Sequence, residues 1–219
     1  MAARTITLID VDNGTYIEEL TEEFRSSAGV CSASKQRLRG GLSDGVDVVR
    51  LDNGALKVDV LPTRGMGLWK AWLKSVRTGD DEFGWRSPVR GPVHPAFVPI
   101  GEYSGLGWLD GFDELLVRCG LESNGAPEFD EQGRVRYPLH GRIANKPARK
   151  LTLTADDATG ELSLTGVVEE VVFFQTVKQG SWRTSKCRLA PFVPWAFLSS
   201  ARLRWSAPAS SSMKYTCSS

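Results

Sequence analysis

The feature that most constrains this chain is a pair of alternating hydrophobic runs, each broken by turn residues. Val46, Val48 and Leu51 lead into Asp52-Asn53-Gly54, after which Leu56, Val58 and Val60 alternate with Lys57 and Asp59. Period-two alternation puts one set of side chains on one face of an extended strand. Asn-Gly suits the two positive-φ positions of a type I′ turn, so the pattern predicts a tight hairpin. A second hairpin is predicted over residues 151–165. There Leu151 and Leu153 alternate with Thr152 and Thr154, a turn follows at 156–160, and Leu162 and Leu164 alternate with Ser163 and Thr165. Residues 80–147, between the hairpins, are dense in Gly, Pro and Trp, have little periodicity, and carry both histidines. Hairpins joined by long irregular connections predict an all-β antiparallel sandwich or barrel, with binding residues on the loops.

Elsewhere the pattern is weaker. Residues 5–11 fit a strand, and Ile17, Leu20 and Phe24 at helical spacing predict a short amphipathic helix over 17–24. Residues 110–119 suit either a helical turn capped by Asp110 or, at Leu115-Leu116-Val117, a buried strand. Three stretches result: an N-terminal arm with the first strands over 1–45, a β-rich body over 46–170, and an atypical tail over 171–219.

Charge exposes the last boundary. The chain of 219 residues has a formal charge of +1, but all 26 acidic residues lie before residue 171. The tail holds seven basic residues, ten Ser and three Trp, with no sustained hydrophobic period. Three readings stand open: a shifted reading frame near Val171 or a truncation, an unpatterned natural tail, or a basic aromatic segment that binds nucleic acid. The abrupt loss of carboxylates favours the first, and nucleic acid is the least expected of the three. A membrane role is disfavoured by the missing amphipathic period, and no window of about 18 apolar residues is free of charge. The first ten residues turn acidic too soon for a signal peptide, so the cytoplasm is the expected compartment. Cys31, Cys119, Cys187 and Cys217 lie too far apart for a zinc site or a disulfide framework. No metal and no cofactor is expected.

Candidate chemistry sits in the middle of the chain. His140, in Tyr137-Pro-Leu-His-Gly-Arg-Ile-Ala-Asn145, offers one titratable imidazole beside donors suited to hydroxyl groups, Arg142 and Asn145 among them; it also fits a hydrogen-bonded strand end. His94, between prolines, reads as a structural loop position. Arg64, in Pro62-Thr-Arg-Gly65, follows a buried strand at a tight turn, where it faces solvent or grips oxygen ligands in a cleft. Asp110, Asp113 and Glu114 lie among Trp108, Phe112 and Arg118. Carboxylates beside aromatic faces suit a sugar, and an N-cap or a salt bridge to Arg118 would explain them equally. Cys119 lacks a triad context and reads as a small buried residue.

Four blocks occur in order: Leu61-Pro-Thr-Arg-Gly-Met66, Gly105-Leu-Gly-Trp-Leu109, Arg118-Cys-Gly-Leu121 with Asn124-Gly-Ala-Pro127, and residues 137–145. Together they resemble the DUF4432 family, a branch of the galactose-mutarotase-like superfamily that includes the aldose 1-epimerases. The resemblance covers about residues 40–170. It implies a β-supersandwich and a carbohydrate-binding cleft, with sugar mutarotation or a related isomerisation in full-length relatives and a small-molecule sugar as the partner. His140 matches the histidine that helps hold the sugar, and is the only candidate for a catalytic role. Arg64, Arg142 and Asn145 lie in family motifs, and Asp113 and Glu114 complete the expected substrate-binding set. Gly67 stands where many members have Asp.

In the epimerases a later histidine and glutamate supply acid and base, and this chain has neither after residue 170. Relatives also continue for more strands, so the sandwich is expected to be incomplete and a non-catalytic sugar-binding module is the alternative. Half a sandwich would leave Leu151, Leu153, Leu162 and Leu164 along an unpaired edge, which predicts poor solubility.

Overall fold

The computed structural model describes residues 3–26, 29–75, 79–83, 91–116, 119–120, 123–156, 161–172, 176–185 and 202–206. The strands are β1 (Arg4–Asp10), β2 (Thr15–Tyr16), β3 (Leu20–Ser26), β4 (Gly29–Arg37), β5 (Asp47–Asp52), β6 (Leu56–Leu61), β7 (Gly67–Ser75), β8 (Gly79–Phe83), β9 (Glu128–Phe129), β10 (Val135–Tyr137), β11 (Ala148–Asp156), β12 (Glu161–Val172), β13 (Thr176–Ser185) and β14 (Arg202–Ser206). One six-stranded sheet runs β3-β4-β5-β6-β7-β8 as an antiparallel meander. The other runs β14-β13-β12-β11-β1-β2, so the N-terminal strand inserts beside β11 with Ile6 opposite Leu153. β9 and β10 form a small separate ribbon.

Both predicted hairpins are present. In the first, Asp52 pairs with Lys57, and Gly54 alone of the Asn53-Gly54 pair has a positive φ, at 82°. The expected type I′ turn is therefore replaced by a wider loop. Asn53 Oδ1 accepts from the N–H groups of Ala55 and Leu56 at 2.9 and 2.6 Å, so the side chain closes the loop. In the second, Leu153 pairs with Leu164 and Asp156 with Glu161; its turn, over 157–160, lies outside the described residues. The boundary read at residue 170 falls inside β12, and β13 and β14 continue the same sheet beyond it.

Three expectations are corrected. The helix over 17–24 is instead the strand β3: Leu20 and Phe24 are four apart, which also fits a period of two, and Thr21, Glu23 and Arg25 face out between them. Residues 110–116 form neither capped helix nor buried strand. A 3₁₀ turn over Gly107–Gly111 contains Asp110 in its interior, and Leu115 and Leu116 are exposed, with Leu116 making only an isolated bridge to Leu68. Cys119 is exposed rather than buried. Val117, Arg118, Cys187 and Cys217 lie outside the described residues.

The core lies between the two large sheets. Leu8, Leu151, Leu153, Leu162 and Leu164 of one pack with Phe24, Ala33, Val49, Leu51 and Val60 of the other. Leu151 and Leu164 have no exposed surface and Leu153 has 1%. These leucines therefore do not line an open edge, because the β3–β8 sheet covers them. Burying a leucine side chain of this kind contributes about 1.5–3 kcal/mol.

Candidate functional site

Three connecting segments meet around one guanidinium. The first follows β6: Pro62 opens a 3₁₀ turn over Pro62–Arg64, Gly65 closes it in the left-handed region, and Met66 follows with φ 66°. Proline at the head of the turn has no N–H to leave unsatisfied. Thr63 anchors the turn to the sheet, its Oγ1 accepting from the Asp47 N–H at 2.9 Å. The second segment is the Gly107–Gly111 turn, which delivers Trp108. Gly107 is required there, since a Cβ would lie 1.7 Å from the Pro99 carbonyl oxygen. The third runs from Tyr137 through His140, with φ 55°, to a 3₁₀ turn over Ile143–Asn145. His140 is pinned on both sides: its N–H donates to the Gly125 carbonyl at 2.8 Å, and its carbonyl accepts from Gly120 N–H at 2.9 Å.

Arg64 ties the three together. Its side chain is 1% exposed. Nη2 donates to the Gly111 carbonyl at 2.8 Å and to Glu114 Oε1 at 3.2 Å, and Nη1 donates to Asn145 Oδ1. Burial pulls the guanidinium pKa below its ordinary value, and Glu114 acts in the opposite direction. An arginine keeps its charge across such shifts, so the pair is a buried cation against a buried carboxylate. Glu114 also accepts from the Asp113 N–H at 3.2 Å, while Asp113 Oδ2 accepts from Trp69 Nε1 at 3.1 Å. Both carboxylates thus organise the protein around the arginine.

Beside this network, the Trp108 ring stacks on Phe112, with centroids 5.4 Å apart, and meets the His140 ring edge-on at 4.8 Å. Trp108 Nε1, His140 Nδ1 and Asn145 Nδ2 are buried with no hydrogen-bond partner among the described residues. The Asn145 orientation follows from its Oδ1 facing Arg64, which turns two amide hydrogens away from the guanidinium. Such orphaned buried polar atoms are rare and costly in folded proteins. Backbone strain gathers at the same place. The four non-glycine residues with positive φ among those described are Met66, Tyr103, Ser104 and His140, all in or beside these three segments. Strain of this kind concentrates at ligand sites.

Of the six residues expected to bind substrate, the structure brings Arg64, Asp113, Glu114, His140 and Asn145 into this cluster. Arg142 is exposed, one residue before the Ile143–Asn145 turn, and is not brought in. Gly67 backs onto Glu114: a Cβ there would lie 3.3 Å from Glu114 Cγ. His94 caps the Pro95–Phe97 turn, its Nδ1 accepting from Ala96 N–H at 3.2 Å, which is structural work. Trp69 was not singled out from the sequence, and only its proximity to Asp113 across 44 residues marks it. Among the described residues no cluster of His, Cys, Asp or Glu has the arrangement to hold a metal ion, and no helix is long and apolar enough to cross a membrane.

The four sequence blocks and this cluster lie within residues 43–185, which match a domain of unknown function, DUF4432. The chain belongs to the DUF4432 family. That match extends 15 residues past the boundary read at 170 and takes in β13. Among solved structures, this DUF4432 chain is similar to a protein from Klebsiella pneumoniae subsp. pneumoniae MGH 78578 that carries the provisional name aldose 1-epimerase. The two are 29% identical, with a TM-score of 0.75. The alignment covers 84% of this chain and 48% of that one, so this chain spans about half the length of that protein. No curated protein matches the chain. The antiparallel sandwich is thus the fold of the galactose-mutarotase-like superfamily.

Proposed function

We propose that this chain is a carbohydrate-binding protein that holds a sugar against Trp108, His140 and Asn145 beside the buried Arg64. The observation that carries the reading is the set of three buried polar atoms without partners, Trp108 Nε1, His140 Nδ1 and Asn145 Nδ2, gathered on strained loops around one guanidinium. Trp108 and Asn145 present N–H donors and His140 a nitrogen able to donate or accept, which suits the oxygens of a polyhydroxylated ligand. The structural likeness to a protein named for aldose epimerisation supports the same ligand class.

Mutarotation requires an acid at the ring oxygen and a base at the anomeric hydroxyl. His140 is the candidate for that proton exchange, as the one histidine in the cluster. Asp113 and Glu114 already accept from Trp69, from Arg64 and from a backbone N–H, which favours sugar binding over proton transfer by these two carboxylates.

The test is titration of the chain with aldoses, followed by intrinsic tryptophan fluorescence and calorimetry, with polarimetry of freshly dissolved anomers in parallel. Saturable binding that is weakened by Trp108→Phe and by Asn145→Ala is expected. Trp108→Phe keeps an aromatic ring there and removes the unsatisfied donor together with a few buried ring atoms, so its melting temperature should fall only modestly. Absence of saturable binding by any aldose would overturn the proposal. Accelerated anomer exchange, lost in His140→Gln, would extend it to catalysis.

A further inference from the structure

A buried carboxylate on the opposite sheet has no place in the site described so far. Along β12 the side chains of Leu162, Leu164, Val168 and Glu170 alternate toward the interior, and Gly166 occupies the middle of that row. Glu170 is 2% exposed. Gly166 faces the Arg64 loop directly, because a Cβ on it would lie 2.4 Å from Met66 Sδ. Alternation with period two sets Glu170 in the same row, four residues further along. The β11–β12 register points the same way. Ala148 pairs with Val168, and continuing that register places Glu170 opposite Lys146, the residue after Asn145. β12 also packs against the Ile143–Asn145 turn.

Packing alone does not account for a carboxylate here. The preceding inward positions are Leu, Leu and Val. Glu170 stands opposite Lys178 of β13 in the strand register, and a buried charge pair is generally no more stable than well-packed apolar residues in its place, so packing does not require the carboxylate. Ligand chemistry does account for it. The site as described offers mainly N–H groups to a ligand, whereas a sugar brings O–H donors as well as acceptors. Asp113 and Glu114 give part of their acceptor capacity to Trp69, Arg64 and a backbone N–H, so a third carboxylate adds acceptor positions for the ligand's hydroxyls. A carboxylate has about four lone-pair positions, so one that already has a protein partner can still accept from a ligand hydroxyl.

We propose that Glu170 is a further sugar-binding residue, the β12 carboxylate that accepts a hydrogen bond from a hydroxyl of the ligand held by Asn145. The proposal rests on the sugar-binding reading above.

The test compares parent, Glu170→Met, Glu170→Gln and Asn145→Ala in one aldose titration, with thermal melts and circular dichroism of each. Glu170→Met, which strips a buried carboxylate from its protein partner, should lower the melting temperature and weaken binding roughly ten- to a hundredfold, the range for a hydrogen bond to a charged group, so affinities are compared at a temperature where each variant is folded. Glu170→Gln keeps shape and one acceptor and should fall between the two, and it decides the matter if the Met variant does not fold. Affinity within twofold of the parent in Glu170→Gln and in any folded Met variant, while Asn145→Ala abolishes binding, would overturn the role of Glu170 alone. A parent that binds no aldose would overturn the sugar reading and this proposal with it.

Discussion

At the scale of single residues, the decisive arrangement is one buried charge pair that holds three loops. Arg64 and Glu114 are 1% and 3% exposed at the side chain, so neither can recover its hydration if the other is lost. Removing one partner of a buried pair typically costs about 3–5 kcal/mol, whereas replacing both by apolar groups can be neutral or stabilising. Glu114→Gln should therefore lower unfolding stability by a few kcal/mol, toward that range, in urea titration. The double variant Arg64→Met/Glu114→Leu removes both charges and should recover part of that loss, short of the cost of leaving the Gly111 carbonyl and Asn145 Oδ1 unpaired, and yet bind no sugar. If Glu114→Gln unfolds at the parent's urea midpoint, the pair is not what joins the loops. Glu114→Gln, which the carboxylate's role as scaffold makes destabilising, should thus cost more stability than Trp108→Phe, which removes a donor the fold does not use and leaves only a small cavity.

At the scale of elements, the two hairpins were legible because a strand writes its period directly into local sequence. The loops carrying Arg64 and His140 were legible as motifs whose Pro and Gly residues mark sharp turns. What stayed hidden depends on which distant segments meet. Trp69 reaches Asp113, and β12 comes against the turn that carries Asn145, only once strand order and register are set, and no local pattern encodes either. Arg142 illustrates the reverse case. It shares a motif with His140 and Asn145, but the 3₁₀ turn that begins after it turns Asn145 toward Arg64 and leaves Arg142 at the surface. The Gly107–Gly111 turn gives the element-scale prediction. A methyl group at residue 107 would overlap the Pro99 carbonyl, a backbone atom that cannot rotate away. Gly107→Ala should cost at least about 2 kcal/mol, as overpacking does where side chains cannot yield. Trp108 should lose its fixed environment, read as a lower melting temperature and a red-shifted fluorescence maximum. An unchanged melt would show that the turn has room to move.

At the scale of the whole molecule, the two sheets are joined by a polar cluster as well as by their leucines. Tyr16 on β2 donates to Asp47 on β5, and Lys35 on β4 lies 3.0 Å from the same carboxylate and 3.2 Å from the Tyr16 hydroxyl. Burial, with the hydrogen bond to Asp47 second, raises the Tyr16 pKa well above its ordinary 10.0. The native state therefore keeps this proton where the unfolded chain releases it. The stability it contributes is complete below pH 10 and is lost as pH rises from there toward the native pKa. Lys35 works in the other direction. Burial lowers its pKa below 10.5 against the pull of Asp47, so between its native pKa and 10.5 the unfolded chain binds more protons and stability rises with pH. The two trends overlap near pH 10, and a substitution separates them. Tyr16→Phe removes the falling component and leaves Lys35, so its urea midpoint should decline less between pH 9.5 and 11 than the parent's. Parallel slopes for the two proteins across that window would show that the Tyr16 hydroxyl does not help hold the sheets together.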